Sequence, residues 1–484
     1  MKRRSSKLFQ LLVAGILGSQ GCVSLDAGPH YEEVAHLVGA ATGSTDLKPP
    51  EDDESVVSTR VEELLKDGIT IDEAASLCLL NNAGLVARLL DVGIARAEFV
   101  RAGFISNPTL SMSVRFPSTS GFPNLQAALA QNIADLWMLP FRSRVAGEAL
   151  KRTILEVSDA VSEQIRETKR AYVQALAADR LRATALENRE IANSFLDTMV
   201  TRKKAGEASE VEVSLARSQL ITLDVAARAA ALSSYEKRAE LASRLGLTTL
   251  PTDLVLSGAL PELSAWNGSA EGAVHHALAE RLDVQAAKKI VDEANADLVR
   301  ERLGIFSFFQ LGATVERPDS GTSSQGDPNY YTFGPSTSFG LPIFDWNRSG
   351  VARAKLKLRQ ATLLLSGLSV DATQRARAAN ERVAATVETV LAFRREVVPE
   401  REKALNLLRI AYPAGEVPLT SVLTAQQGLL EARKGLVFSL EAFALALIEY
   451  ERATGSPVSA GDLERDRYSE LGRSPNADEP RCGR

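Results

Sequence analysis

Cysteine, histidine and methionine are all scarce in this 484-residue chain, which has three cysteines, four histidines and four methionines. Cys22, Cys78 and Cys482 lie far apart, so the chain does not have the composition of a disulfide-stabilised scaffold. The adjacent pair His275 and His276 would point about 100° apart on a helix, and no further histidine or cysteine lies nearby. No metal site is therefore expected.

Long apolar runs and an excess of one charge are also missing. The net charge of -5, from 56 basic and 61 acidic residues, leaves no basic footprint for nucleic acid. No glycine-rich phosphate loop, nucleophile elbow or paired-carboxylate cleft occurs, so we expect neither enzymatic activity nor a cofactor. Beyond residue 21 no run of about eighteen apolar residues is found, which excludes helical membrane spans and leaves a closed β-barrel as the way to cross a bilayer.

The first 21 residues have the composition of a secretory signal. Basic residues from Lys2 precede the apolar run Leu8 to Leu17, which is too short to span a membrane. The segment ends in Ser-Gln-Gly before Cys22, which is similar to a bacterial lipobox in which serine stands where leucine is usual. We expect a signal peptide over 1–21 and lipidation of Cys22. The alternative is a cleaved signal followed by an incidental thiol.

The remaining chain is predicted to contain an internal two-fold repeat. Ala205-Gly206-Glu207 recurs as Ala414-Gly415-Glu416, 209 residues later, and the same offset places Leu245-Gly246 on Thr454-Gly455. A repeated unit of this kind fixes an architecture, here helix, strand pair, long helix, turn and helix. The predicted divisions are a linker over 22–69, a first repeat over 70–250, an inter-repeat linker over 251–270, a second repeat over 271–455 and a flexible tail over 456–484.

Between the helices the period of the apolar residues changes to two, which predicts four strands at about 108–117, 125–136, 308–317 and 330–341. Their lengths are near the roughly 9 to 11 residues of a tilted membrane strand. A soluble sandwich is the alternative, but four strands are too few for one, so we expect the strands to pair with those of other copies. The residues expected to face lipid are Leu110, Met112, Val114, Phe116, Phe309, Leu311, Val315, Phe333 and Phe339.

The predicted helices are unusually long. The segment from Arg142 to Lys204 contains no proline and could reach on the order of 90 Å. Its apolar residues recur every eleven positions, as at Leu150, Val161 and Tyr172, a period close to that of a straight helix. Helices of this kind pack sideways into a sheath because no compact core accommodates them.

An ordered set of motifs resembles the TolC-like outer membrane factor family, also called outer membrane efflux proteins. The resemblance covers about Thr70 to Gly455. The motifs are Ile71-Asp72-Glu73-Ala74, Leu79-Leu80-Asn81-Asn82, Asn107-Pro108-Thr109-Leu110, Leu341-Pro342-Ile343-Phe344-Asp345, Tyr412 with Gly415-Glu416, Val422-Leu423-Thr424-Ala425-Gln426 and Glu451-Arg452-Ala453-Thr454-Gly455.

The resemblance implies a mainly α fold with a small β part. In it, three chains each give four strands to one transmembrane β-barrel, and their helices continue as a periplasmic α-barrel. The implied partners are two further copies of the chain, a periplasmic adaptor protein, an inner-membrane pump and outer-membrane lipid. The implied adaptor contacts are Arg202, Gly206 and Gly415, at the turns that form the tip. Tyr412 matches a family tyrosine that helps to hold the tip shut.

The sequence departs from the family pattern at the tip. The acidic rings of the family would fall on Ser421 and Thr424, which are uncharged. Glu207, Glu212 and Glu416 are expected to supply negative charge near the mouth instead, and a ring of carboxylates favours cations. The alternative for each of them is a solvated helix face.

These observations predict a lipid-anchored outer-membrane channel that passively conducts small solutes or drugs in a tripartite efflux system. Type I protein secretion is an alternative within the same class. An alternative from another class is a periplasmic coiled-coil scaffold, which would account for the helices and the repeat but not for the alternating strands.

Overall fold

The computed structural model describes residues 24–44, 47, 61, 64–65, 68–116, 118, 122–248, 250–260, 265–304, 308–317, 331–458 and 463–464. The predicted signal peptide, Cys22 and Cys482 lie outside these ranges. The chain divides into two compact units. The first comprises 1–31, 90–156 and 286–367, and the second comprises 32–89, 157–285 and 368–484.

Most described residues are helical, and the helices alternate with two strand pairs. The helices are α1 (Gly28–Thr42), α2 (Ile71–Asn81), α3 (Ala83–Ala102), α4 (Ala134–Lys204), α5 (Glu210–Arg244), α6 (Ala270–Glu280), α7 (Leu282–Leu303), α8 (Arg348–Ala392), α9 (Val398–Ala411) and α10 (Leu419–Thr454). The strands are β1 (Thr109–Arg115), β2 (Asn124–Asn132), β3 (Ala265–Trp266), β4 (Phe309–Arg317), β5 (Thr332–Phe339) and β6 (Leu463–Glu464). The predicted fold class, long helices with four main strands, is confirmed, whereas the internal sequence repeat stays a prediction.

The first unit contains an antiparallel sheet in the order β1-β2-β4-β5. Its register places Met112, Ala127, Val315 and Phe333 in one row across the four strands. The next row along the strands is Ser113, Gln126, Glu316 and Thr332. Because successive side chains of a strand point to opposite faces, one face of the sheet is apolar and the other is polar.

Strand β2 is shorter than the alternation predicts. The range 125–136 was expected, but β2 ends at Asn132 and α4 begins at Ala134. The Oδ1 atom of Asn132 accepts hydrogen bonds from the backbone N–H groups of Ala134 and Phe309, at 3.2 and 3.3 Å. An asparagine that bonds to nearby backbone groups favours the end of a strand and the start of a helix, which explains the shift.

The second unit is held by buried apolar residues where several helices meet. Ala273 of α6, Val383 of α8 and Phe443 of α10 belong to one cluster and are almost fully buried. Trp266 packs edge-on against Tyr450, with ring centroids 4.8 Å apart, and its indole N–H donates to Asn380 Oδ1 at 3.2 Å.

A short strand pair joins the segment after α10 to the segment before α6. Leu463 and Glu464 form β6 and pair antiparallel with Ala265 and Trp266 of β3. The flexible tail over 456–484 stays a prediction, and this strand pair lies within it. An isolated pair of two-residue strands depends on tertiary packing, which a local sequence pattern does not report.

The segment 71–102 forms two helices, α2 and α3, which are separated at Asn82. Asn82 has extended backbone angles, and its side-chain amide donates to Arg244 O at 2.9 Å. The amide of Asn81 donates to Leu245 O and Gly246 O, at 3.0 and 2.9 Å. Both asparagines thus supply donors to the carbonyl groups at the end of α5, which a helix leaves without partners.

Gly246→Ala is expected to destabilise the second unit. Gly246 has φ +69°, and an added Cβ would lie 2.6 Å from the carbonyl oxygen of Asn81. The left-handed conformation alone costs a non-glycine residue about 1–2 kcal/mol, and the contact adds to this. Thermal unfolding followed by circular dichroism should show a lowered midpoint. The control Gly367→Ala, in a helix and with open space at the Cβ position, should leave the midpoint equal or higher.

A π-helical turn at Phe393–Val397 separates α8 from α9. The N–H of Val398 donates to Phe393 O, and Pro399 follows within the first turn of α9. The ring of Phe393 lies against Gly435 of α10, where a Cβ atom would clash with it. Proline lacks a backbone donor, which accounts for an irregular turn at the place where its kink is expected.

No single helix in the described ranges has both the length and the apolar composition to cross a membrane, although α2 and α3 taken together, bent by 59°, pass on those two criteria.

Candidate functional site

The two Ala-Gly-Glu turns have the same geometry. Gly206 and Gly415 have φ of 78° and 74° and follow α4 and α9. In the first turn Gly206 N–H donates to Lys203 O and Glu207 N–H donates to Arg202 O, both at 2.9 Å. In the second, Gly415 N–H donates to Tyr412 O and Glu416 N–H to Ala411 O. This pair of bonds is the Schellman motif, in which glycine supplies the left-handed residue that ends a helix.

A hydrogen bond joins the two helical hairpins beside these turns. The hydroxyl of Tyr412 donates to Glu212 Oε1 at 2.8 Å. Its oxygen also lies 3.7 Å from Met199 Sδ, and the ring packs on a cluster of Met199, Val213 and Ala216. Tyr412 precedes the second turn. Met199 of α4 precedes the first turn, and Glu212, Val213 and Ala216 of α5 follow it. The contact therefore ties α4 and α5 to the end of α9.

Glu212 is held in place by its own helix. It forms a capping box with Ser209, in which Ser209 N–H donates to Glu212 Oε2 at 2.7 Å and Glu212 N–H donates to Ser209 Oγ at 3.2 Å. One carboxylate oxygen thus bonds the helix start while the other accepts from Tyr412. The capping box therefore holds the Glu212 carboxylate in the position where it accepts the hydrogen bond from Tyr412.

Arg202 lies over the same tyrosine. Its guanidinium carbon is 5.4 Å from the centre of the Tyr412 ring, and its Nε is 3.6 Å from Glu207 Oε2. A cation over an aromatic face is attracted to it electrostatically. Arg202 therefore adds a second contact between the hairpins.

The electrostatics favour a charged acceptor and a neutral donor. The backbone N–H of Ser209, the Tyr412 hydroxyl and the nearby Arg202 hold the pKa of the Glu212 carboxyl below its ordinary value. Burial, followed by the Glu212 carboxylate, raises the pKa of the Tyr412 phenol. At neutral pH the pair is therefore carboxylate and phenol, which is a charge-assisted hydrogen bond.

Five of the seven predicted tip residues line one open cleft of about 400 Å³. Its lining includes Arg202, Glu207, Glu212, Tyr412 and Gly415. An added Cβ at Gly206 or at Gly415 would meet open space. The described structure therefore leaves both turns accessible.

The three glutamates predicted at the mouth have different surroundings. Glu207 is exposed and pairs with Arg202, and Glu416 is exposed. Glu212 is engaged by Ser209 and Tyr412 rather than projecting as a free carboxylate. Sequence reasoning did not find Ser209 or Met199. The spacing Ser209-x-x-Glu212 directly after a glycine turn is a capping-box signal and would have identified the first.

The residues predicted to face lipid lie together on the apolar face of the sheet or just beyond it. Met112 and Phe333, in one row, are 77% and 81% exposed. Phe309 is half-buried because its ring stacks on Trp137, with centroids 6.4 Å apart. The other eight are exposed: Leu110, Met112, Val114, Phe116, Leu311, Val315, Phe333 and Phe339.

Acidification is expected to loosen the contact between the hairpins. Because the pKa of Glu212 is lowered on folding from an ordinary value of 4.5, its contribution is complete above that value and is lost as the pH falls through the folded pKa. Channel conductance in a planar bilayer should therefore rise as the pH is lowered below about 4.5. Glu212→Gln should lack this component, and an identical pH response in both proteins would contradict the assignment.

Known proteins with similar sequences are outer-membrane transport proteins. Residues 273–456 match the family model described as outer membrane efflux protein. The chain is 23% identical over 396 residues to the pyoverdine export outer membrane protein OpmQ of Pseudomonas aeruginosa, covering 76% of this chain and 81% of that protein.

Two solved structures have the same fold. A membrane protein from Pseudomonas aeruginosa superimposes with a TM-score of 0.67 at 19% identity, covering 79% of this chain and 92% of that one. The CmeC outer membrane channel of Campylobacter jejuni gives a TM-score of 0.65 at 19% identity, covering 83% and 88%.

Long helices, a two-faced four-stranded sheet and paired helical turns make up the fold that this chain shares with the solved structures. Residues 273–456 carry the match to the outer membrane efflux protein family, and the chain is similar to an outer-membrane export protein. This confirms the family resemblance, and the family is one of transport channels rather than enzymes.

Proposed function

We propose that this chain is the outer-membrane channel subunit of a tripartite efflux system, which passively conducts small solutes or drugs. The observation that carries the proposal is the sheet, whose apolar face is exposed while its other face is polar. A sheet with this pattern is stable where the apolar face meets lipid and the polar face meets water.

The edges of the sheet support assembly with further copies. Within the described residues β1 pairs only with β2, and β5 pairs only with β4. In a membrane an open edge leaves backbone groups without partners, so the sheet must close on itself. Three chains that pair β5 of one with β1 of the next would form one closed barrel around a water-filled bore. This supports the homotrimer that the family resemblance implies.

The turns support contact with a periplasmic adaptor. An added Cβ at Gly206 or Gly415 would meet open space, and Arg202 lies over the ring of Tyr412. We assign adaptor contact to Arg202, Gly206 and Gly415, and closure of the tip to Tyr412 and Glu212. Glu207 and Glu416 remain the candidates for negative charge at the mouth.

The remaining assignments follow from this role. An inner-membrane pump supplies energy and selection, and the channel carries no chemistry of its own. Lipidation at Cys22 anchors the start of the mature chain in the outer membrane. The repeats proposed over 70–250 and 271–455 each supply one strand pair. The curated relative is named for pyoverdine export, which supports a small solute as cargo.

Membrane extraction and conductance test the proposal. Purified full-length protein should stay with the outer membrane in high salt and should form pores in a planar bilayer. A periplasmic scaffold would leave the membrane in high salt and would not conduct. Photocrosslinking probes at Gly206 and Gly415 should capture an adaptor, whereas a probe at exposed Glu236 of α5 should not.

A further inference from the structure

The start of α8 carries an unusual charge. Between Trp346 and Val370 the chain has five basic residues and no acidic one, although acidic residues outnumber basic ones in the chain as a whole. The five are Arg348, Arg353, Lys355, Lys357 and Arg359, and all are exposed. Arg348 is in the first turn of the helix, where positive charge opposes the helix dipole, and the run has no acidic partners of its own in sequence. It therefore points to a ligand with negative charge.

Most of this charge is free within the described structure. Of these five basic residues, Arg353 forms an ion pair within the described residues, with Glu301 at 3.5 Å. Arg348, Lys355 and Arg359 are spaced by seven and four residues, which places them within about 40° of one another on the helix. They form one basic stripe that no described acidic side chain neutralises.

Exposed apolar side chains lie between the sheet and this stripe. Phe339 is on the apolar face of β5, and the chain then continues through Leu341, Ile343 and Phe344 to Trp346. Phe344 is 99% exposed and Trp346 is 55% exposed. The order along the chain is thus an apolar strand face, aromatic side chains and basic side chains. The same order is found with depth in a membrane, from hydrocarbon through the interface to the headgroups.

The direction of the helix brings the basic groups back toward the sheet. Side chains on a helix tilt toward its N-terminus, and the N-terminus of α8 is the end that follows β5. Lys355 begins about 10 Å along the helix from Arg348, and its long side chain points back over part of that distance. Arg359 lies about 16 Å along the helix from Arg348, one turn beyond Lys355, and its long side chain points back in the same direction.

The helix has other faces for protein contacts. Ala354 and Ala361 are buried within the unit, and Leu356 and Leu363 form an exposed apolar stripe on the opposite side. A neighbouring protomer would take that apolar stripe. The basic stripe lies beside it and stays accessible.

We propose that the start of α8 binds anionic glycerophospholipid headgroups of the membrane leaflet that faces the periplasm. This inference rests on the proposed membrane insertion of the sheet. Arg348, Lys355 and Arg359 contact the phosphates, while Phe344 and Trp346 lie at the level of the glycerol backbone. The bound lipid orients the protein and fixes its depth in the membrane.

Lipid binding by the purified full-length protein in nonionic detergent tests this assignment. The probe is short-chain phosphatidylglycerol, compared with phosphatidylcholine of the same chain length. We expect at least about tenfold tighter binding of phosphatidylglycerol in low salt, because each basic residue near such a surface contributes. The preference should shrink in high salt. Equal binding of both lipids overturns the proposal.

Two variants that lose the same number of positive charges distinguish a lipid site on this stripe from non-specific attraction of anionic lipid to the protein. The variant R348Q, K355Q and R359Q should lose the preference for phosphatidylglycerol. The control R217Q, R377Q and R382Q removes exposed arginines of the second unit and should keep it. A preference retained by the first variant or lost by the control overturns the assignment. Displacement of the lipid by equimolar inorganic phosphate would show a free-phosphate site and overturn it as well.

Conductance in phosphatidylcholine bilayers separates this inference from the proposed function. Both variants should conduct like the wild type, with unchanged ion selectivity. A changed reversal potential with lipid preference intact would place the stripe in the bore and overturn the lipid assignment. A wild-type protein that never conducts defeats the proposed channel, whereas a conducting protein without lipid preference defeats this inference alone.

Discussion

Met112→Arg is expected to abolish insertion of the protein into the outer membrane. Met112 is 77% exposed on the apolar face of β1, in the row that contains Val315 and Phe333. An arginine on the lipid face of a barrel costs roughly 2–4 kcal/mol near the bilayer midplane. In a trimer the cost is incurred three times. Heat-resistant oligomers in outer-membrane fractions should therefore disappear, and purified material should not conduct.

The neighbouring residue provides the control. Ser113 points to the polar face, in a row with Gln126 and Glu316. Ser113→Arg adds the same charge to the same strand but to its water-facing side, so the trimer should assemble. Its ion selectivity should move toward anions. Equal tolerance of both substitutions would contradict contact of the Met112 face with lipid. A loss of assembly caused by Ser113→Arg alone would assign the faces of the sheet the other way round.

The strands could be predicted from sequence because their signal is local. Alternation at Leu110, Met112 and Val114 reports directly which side chains share a face. The two glycine turns could also be predicted, because Gly206 and Gly415 adopt the positive φ that few other residues adopt at a helix end. Both signals depend on a few neighbouring residues and survive in any tertiary context.

The features that sequence reasoning missed depend on distant partners. Asn82 interrupts a helical pattern because its side chain bonds the end of α5, 162 residues later. Leu463 of β6 pairs with Trp266, which no pattern in the tail indicates. The resemblance to the family gave Tyr412 a role, but not its acceptor Glu212, which is 200 residues away. Contacts of this kind follow from how the helices pack, and local periodicity does not encode that packing.

The hydrogen bond between Tyr412 and Glu212 acts differently from a ring of carboxylates. A ring acts on ions in the bore, whereas Glu212 is occupied by two bonds within its own chain. Uncharged Ser421 and Thr424 leave the family's usual acidic positions empty of charge. In this chain the hydrogen bond between hairpins is therefore the better candidate for control of the opening.

Tyr412→Phe is expected to shift the channel toward an open tip. The substitution removes only the hydroxyl that donates to Glu212 and keeps the ring that packs on Met199 beneath Arg202. A hydrogen bond to a charged group contributes about 1.5–3 kcal/mol, and the lower end applies to this half-exposed site. The open state should thus gain roughly tenfold in each subunit. Single-channel recordings should show higher mean conductance, and cells should admit bulky antibiotics more readily.

A double-variant cycle distinguishes the bond from a general loosening of the helices. Glu212→Gln should raise conductance as well, and adding it to Tyr412→Phe should give little more, because both remove the same interaction. Tyr235→Phe removes the hydroxyl of an exposed tyrosine on α5 and should leave conductance unchanged. Additive effects of the two tip substitutions would mean that Tyr412 and Glu212 act separately. Wild-type conductance in Tyr412→Phe would mean that the bond does not hold the tip closed.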